Sequence, residues 1–245
     1  PALDLLQVYL ADADRRRLRQ LHVATSRPTD ASFVVFDDAY RTSDLTLRLR
    51  HLSTAASLFA DEGDQAAASA AASASKLLQL QKDLRSLSPA TAPPLGASLA
   101  DTLSSLFVAG FSDKATAVAR DFGVGDRRLA WTALRAHVDA RDTQGFTALA
   151  SSLPRKPAIG FAPYARAAAT LGLPNLTTSL ASRVADPRRR FTLCLSLRSW
   201  QAAAQAAIDA KDVDAANELV AAVSRQDPGQ ADHVKGILAP LLLRK

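Results

Sequence analysis

The chain is poor in several things at once: one cysteine, no methionine and 6% aromatic residues in 245. Cys194 alone cannot build a disulfide framework or a cysteine-based metal site, and it argues for a reducing compartment such as the cytosol. No apolar run approaches the roughly 18 residues of a membrane span. The start, Pro1-Ala2-Leu3-Asp4, lacks the basic stretch leading into a hydrophobic one that marks a secretory leader. A chain that begins at Pro1 and holds no Met is expected to be a piece of something longer. β-Branched runs are scarce too. The 48% apolar share is carried by Ala and Leu, which form helices well, so an all-α protein is expected.

Charge does not single out a partner. Lys and Arg number 30 against 24 Asp and Glu, a net charge of +6, and a basic field attracts nucleic acid, anionic membrane and acidic protein alike. The basic clusters are Arg15-Arg16-Arg17-Leu18-Arg19, Arg127-Arg128 and Arg188-Arg189-Arg190. None is interleaved with aromatics as single-stranded nucleic-acid platforms are. Each is read as a solvated helix face. Direct binding of anionic membrane or nucleic acid by a basic helical-repeat module stays open as the alternative function.

Apolar spacing at three and four residues places a first helix pair over 3–10 and 12–22. Residues 26–32 supply turn and cap chemistry, and Phe33-Val34-Val35-Phe36 is expected as an extended connector. Asp44 caps a helix carrying Leu45, Leu49, Leu52, Ala56 and Phe59 on one face, which Glu62-Gly63-Asp64 stops. A longer helix is expected over about 65–87, Ala- and Ser-rich first and Leu-rich later. Pro89, Pro93 and Pro94 then forbid helix. Beyond them, helices starting near Asp113, Thr143, Pro174 and Trp200 recur about 30 residues apart, with others over 126–140, 163–171 and 187–197 between them. Last come helices over 213–224 and 230–243 and a basic tail, Arg244-Lys245, suited to a helix C-terminus. A two-helix unit of this length cannot bury its apolar side alone and must stack on neighbours. The expected fold is a rod-like α-solenoid of antiparallel helical hairpins. Residues 1–88 hold the first hairpins and the long helix, 89–97 a Pro-rich linker and 98–245 the repeats, in one continuous domain.

No constellation of catalytic or ligating residues has workable spacing. Gly123-Val124-Gly125-Asp126 lacks both the preceding strand and the Lys-Ser/Thr pair of a phosphate loop. His22, His51, His137 and His233 are far apart and expected at the surface or at helix ends. Cys194, among apolar neighbours, is expected in the core with a raised pKa. The pairs Asp12 with Asp14 and Asp37 with Asp38, and the group Asp209, Asp212 and Asp214, read as helix caps rather than acid–base pairs. Trp131 and Trp200 either lock hairpins together or anchor a partner. Locking is the simpler reading, and Trp131 is also carried as a partner contact beside Arg127 and Arg128. No enzyme activity, cofactor or metal is expected.

Several segments match one family in order. They are 47–59; Lys76-Leu77-Leu78-Gln79-Leu80-Gln81-Lys82-Asp83-Leu84; Arg120-Asp121-Phe122 with Asp126-Arg127-Arg128-Leu129-Ala130-Trp131; Arg155-Lys156-Pro157-Ala158-Ile159-Gly160-Phe161-Ala162-Pro163; and Ser182-Arg183-Val184. Together they resemble the C-terminal region of the vacuolar protein sorting protein 16 family. Ala130 departs from it, standing where the family often has the first of two adjacent aromatics. The resemblance implies a non-catalytic α-solenoid subunit of the HOPS and CORVET tethering complexes. It would be cytoplasmic and peripheral at the late endosome and vacuole (lysosome), with only indirect membrane contact and no nucleic acid. It also implies binding to the SNARE-chaperoning subunit, vacuolar protein sorting protein 33, and to other core subunits. Carried onto this sequence, the binding surface would involve Ala70, Ala74 and Leu77 on the long helix, and Arg127 and Arg128 at a helix start. Small residues permit close packing, and an Arg at the positive end of a helix suits an acidic group on a partner.

Overall fold

The computed structural model describes residues 2–87, 89 and 92–243. Among the described residues there are fifteen α-helices, one short 3-10 turn and no strand. The expected tail, Arg244-Lys245, lies outside them, as do residues 90 and 91 of the expected linker. The chain divides into two compact units, Pro1–Thr102 and Leu103–Lys245.

In the first unit α1 (Ala2–Ala13), α2 (Arg15–Ala24), α3 (Pro28–Arg41), α4 (Leu45–Asp61) and α5 (Gln65–Leu87) each pack on the next. The starts of α2, α4 and α5 carry side-chain caps. Asp14 accepts from the Arg17 amide at 3.1 Å, and Asp44 accepts from Thr46 and Leu47 at 2.8 and 3.0 Å. Asp64 does the same for Ala67 at 3.0 Å. Such caps satisfy amides that have no partner inside the helix. Gly63, at φ +81°, ends α4 in the left-handed conformation that glycine adopts without strain.

Phe33-Val34-Val35-Phe36 is helical, inside α3, and not an extended connector. Pro28 opens that helix in its first turn, where a missing N–H costs nothing. Val34 and Val35 are buried, and Phe33 packs edge-on against Phe59 at 4.8 Å between ring centroids. Burial outweighs the weak β preference of the run. Asp37 and Asp38 are likewise not caps. They lie within α3 and share Arg15, which is 2.7 Å from Asp37, bonded to Asp38 and 3.1 Å from the Val34 carbonyl. Arg15 therefore joins α2 to α3 and does not belong to a solvated face. Arg41, 2.8 Å from Asp37, holds that carboxyl below its ordinary value, with Arg15 adding to the effect.

α5 lays Ala68, Ala71, Leu78, Gln81 and Leu84 inward. Ala71 and Ala55 of α4 are wholly buried in one cluster with Val35 and Phe59. Gln81 is wholly buried yet satisfied. Its amide donates to the Ala97 carbonyl at 2.8 Å and the Thr102 hydroxyl at 2.9 Å, and its oxygen accepts from the Gly96 amide at 2.7 Å. It fastens the segment after the prolines to α5. α6 (Leu99–Val108) then carries the chain into the second unit.

That unit holds α7 (Ser112–Asp121), α8 (Asp126–Asp139), α9 (Thr143–Ser151), α10 (Ala162–Thr170), α11 (Pro174–Ser182), α12 (Pro187–Ser196), α13 (Trp200–Ala210), α14 (Val213–Gln226) and α15 (Ala231–Leu242). Helices pack on the next and on the next but one, as α10 with α8 and α13 with both α11 and α15. This is helical-repeat packing. One core runs through it, with Phe146, Tyr164, Leu180, Cys194, Leu219 and Leu238 among its buried members and Ala203, Ala204, Ala206 and Ala207 wholly buried on α13. Trp200 is in this core, its indole N–H 3.3 Å from Asp227, the locking role expected of it. Asp212 caps α14 through the Ala215 amide at 3.1 Å. Asp209 is not a cap: it sits near the end of α13 and pairs with Arg190, which removes Arg190 from the solvated set.

Two histidines stand in last helical turns, as expected, yet are buried there: His22 in α2 and His137 in α8. The His137 Nδ1 lies 2.9 Å from Asp142 Oδ2. The other Asp142 oxygen accepts from the Gly145 amide at 2.8 Å and caps α9. A Cβ at position 145 would fall 2.1 Å from Asp142 Oδ2 and 2.7 Å from His137 Cε1, so the space belongs to glycine. The Gly145 amide is the main cause, ahead of His137, of an Asp142 pKa below its ordinary 3.8. A depressed carboxylate stabilises the fold above its unfolded pKa and loses that contribution as pH falls through the folded one. Asp142→Ala should cost about 1–2 kcal/mol near neutral pH. In urea unfolding, its gap to the parent chain should narrow once pH drops below the carboxylate range; an equal gap at every pH would contradict the capping account.

Candidate partner-binding surfaces

The outward side of α5 is almost free of bulk. Opposite the buried Ala68 and Ala71, the residues Ala66, Ser69, Ala70 and Ser73 are exposed, while Ala74 and Leu77 are half-buried toward the end of that stripe. Alanine works on both sides of this helix: inward it lets α4 come close, and outward it leaves backbone within reach of a second surface. Ala74 and Leu77 also border a cavity of about 220 Å³ within the first unit, together with Tyr40, Arg48, Leu52, Leu78, Gln81 and residues 96–98. The Arg48 guanidinium stands 5.2 Å from the centre of the Tyr40 ring.

In the second unit Arg127 and Arg128 occupy the first turn of α8 and are exposed. Neither has an ion-pair partner among the described residues. The amides at this helix start carry partial positive charge, so two guanidiniums there raise the local potential further. Asp126 partly offsets it. Trp131 is 40% exposed, so it does not lock hairpins as Trp200 does. The α5 residues and the α8 residues belong to different units, and each set is described by itself.

The Pro-x-Ile-Gly segment forms the connection between α9 and α10. The Gly160 amide donates to the Pro157 carbonyl at 2.9 Å, and Phe161 is buried beneath the Arg183 guanidinium, 4.0 Å from the ring centre. Arg155, Lys156, Arg183 and Arg189 line a cleft of about 440 Å³ over this turn, with Asp186 as its one carboxylate.

Cys194 is buried, and burial pushes its thiol up, away from the reactive thiolate. Among the described residues, no three His, Cys, Asp or Glu side chains stand close enough to hold a metal ion. No described helix is long and apolar enough to cross a membrane.

Fifteen short helices packed through alanine, with open small-residue and basic surfaces, define an all-α helical-repeat protein. Within that class the chain has a specific match: the family described as "Vps16, C-terminal region" covers residues 1–239. The chain belongs to this family, a subunit of the HOPS and CORVET membrane-tethering complexes. The family associates with the other subunits of those complexes and acts in vesicle transport at endosome and vacuole membranes.

Sequence reasoning passed over Arg48, Tyr40 and Gln81 as site-forming residues. Gln81 did leave a signal: it falls three residues from Leu78 and from Leu84 on one helical stripe, a polar side chain in apolar register. Arg48 left none, since its surroundings come from α3, α5 and the segment after the prolines. Replacing Gln81 with Leu roughly keeps volume but strands the Gly96 amide and the Ala97 carbonyl, and should cost about 2–3 kcal/mol in urea unfolding. Ala70→Ser on the open face should cost under about 0.5 kcal/mol. Equal costs would refute the assignment of inner and outer sides.

Proposed function

We propose that this chain is a non-catalytic scaffold that binds the SNARE-chaperoning subunit, vacuolar protein sorting protein 33, and recruits it to membranes about to fuse. Membership of the family supports the setting. The observation that carries the proposal is the exposed small-residue face of α5, where Ala70 meets solvent although the opposite side of the same turn is packed. A helix face without side-chain bulk gives up little conformational entropy on docking and lets a partner approach the backbone. Ala74 and Leu77 extend this contact, while Arg127, Arg128 and Trp131 form a second one suited to acidic and apolar groups. The protein is then cytoplasmic and peripheral, reaching the late endosome or vacuole through its complex.

Direct binding to anionic membrane or nucleic acid is the weaker reading. Arg15 and Arg190 are committed to aspartates, Arg17 lies 3.2 Å from Asp14, and Arg188 lies 3.4 Å from Asp212. The clusters keep less free charge than their sequence implies.

The purified chain should co-elute with vacuolar protein sorting protein 33 in size-exclusion chromatography; separate elution sinks the proposal. Ala70→Asp should abolish the complex while leaving the far-ultraviolet circular dichroism unchanged. Asp at an exposed helix position costs roughly 0.7 kcal/mol in propensity, but an unpaired charge in a packed interface costs several. An Ala70→Asp chain that binds normally removes α5 from the interface. Arg127→Glu with Arg128→Glu should weaken binding at least about tenfold, by like-charge repulsion.

A further inference from the structure

Among the described cations of the first unit, Arg48 combines partial burial with the lack of an ion-pair partner. It projects from α4 into the 220 Å³ cavity beside Ala74 and Leu77. Its Nε is shielded from solvent and has no hydrogen-bond partner. Among the described residues no carboxylate pairs with it, and none lines the cavity. Asp44, one turn earlier on the same helix, is committed to the amides of Thr46 and Leu47. The guanidinium is nonetheless held in place. It lies against the Tyr40 ring at 5.2 Å, and a Cβ at Gly96 would fall 3.1 Å from Nη1 and 3.2 Å from Nη2. Gly96 has φ +82° and is itself anchored by Gln81. The chain thus maintains a close-fitting seat for a cation that it does not neutralise.

An arginine with a desolvated Nε and no counter-charge is costly. The compensation with the best geometry is a carboxylate, which a planar guanidinium binds with two parallel hydrogen bonds. Ala74 and Leu77, the half-buried end of the small-residue stripe, form one wall of the seat. A surface docked on α5 therefore brings its own side chains to the cavity. We infer that Arg48 is the docking point for an Asp or Glu side chain of the protein that binds along α5, closing the cavity with a buried ion pair that fixes the register of that partner. The inference rests on the reading of α5 as a docking face under Proposed function. A lipid headgroup or nucleic acid suits the place less well, because the other walls are largely apolar and add no second cation.

The ion pair makes free-chain stability and affinity respond in opposite ways. The dissociation constant for recombinant vacuolar protein sorting protein 33 is measured by titration calorimetry for the parent chain, Arg48→Gln, Arg48→Lys and Ala70→Asp, with the thermal midpoint of each free chain. Arg48→Gln is expected to weaken binding at least about tenfold, while its midpoint stays level or rises because a half-buried cation with a shielded, unbonded Nε and no counter-charge is gone. Arg48→Lys keeps charge but not the fork and should recover only part of the loss. Parent-like affinity of Arg48→Gln, with Ala70→Asp still inactive, overturns the ion pair and leaves the docking face standing. A lowered midpoint in Arg48→Gln together with parent-like affinity assigns Arg48 to the fold alone and overturns it too. A parent chain that fails to bind overturns the docking face and the ion pair together.

Discussion

Helices that approach through alanine are the constraint on which the rest of this structure depends. Most helices here are nine to fourteen residues long, near or below the length at which an isolated helix holds together in water. Their stability must come from neighbours. Wholly buried alanines mark the closest packing: Ala55 with Ala71 in the first unit, and Ala203, Ala204, Ala206 and Ala207 on α13 in the second. Small side chains bury little area each, so larger ones such as Phe59, Phe146, Trp200 and Leu219 fill the space between and contribute more apolar burial per residue. Aspartate caps fix the starts of α2, α4, α5, α9, α12 and α14.

The same chemistry shapes the candidate surfaces. α5 needs alanine inward to pack on α4, and its outward alanines and serines leave a face with nothing to displace when a partner docks. Basic residues divide into two groups by geometry. Arg15 and Arg190 hold elements of the fold together, whereas Arg48, Arg127 and Arg128 have no ion-pair partner among the described residues. The uncompensated cations are the ones available to an acidic partner, and the net charge alone does not distinguish them.

Much of this was legible in the sequence, for identifiable reasons. Helix starts near Thr143, Pro174 and Trp200 and the whole span of α5 follow from local signals: caps, prolines and three-to-four spacing. Cys194 was legible as core from its apolar neighbours, and Trp200 as a lock from its size in a chain poor in aromatics. The misread places depend on contacts distant in sequence. Phe33-Val34-Val35-Phe36 looks extended until Phe59 packs against it. Asp37 and Asp38 resemble caps until Arg15 arrives from another helix. His137 stands at a helix end as expected, but its burial was not legible because its partner, Asp142, acts across a turn. The candidate site was partly legible: Ala70 and Arg127 are exposed as a contact requires, but Arg48 and its cavity exist only once four segments have come together.

The central claim is that α5 offers its small-residue face to a partner while the remaining helices support it. Hydrogen–deuterium exchange of the chain with and without vacuolar protein sorting protein 33 tests it most directly. The account predicts that complex formation slows exchange over residues 66–81, with a second protected stretch at the start of α8. Protection confined to other helices, with α5 exchanging as in the free chain, would contradict it.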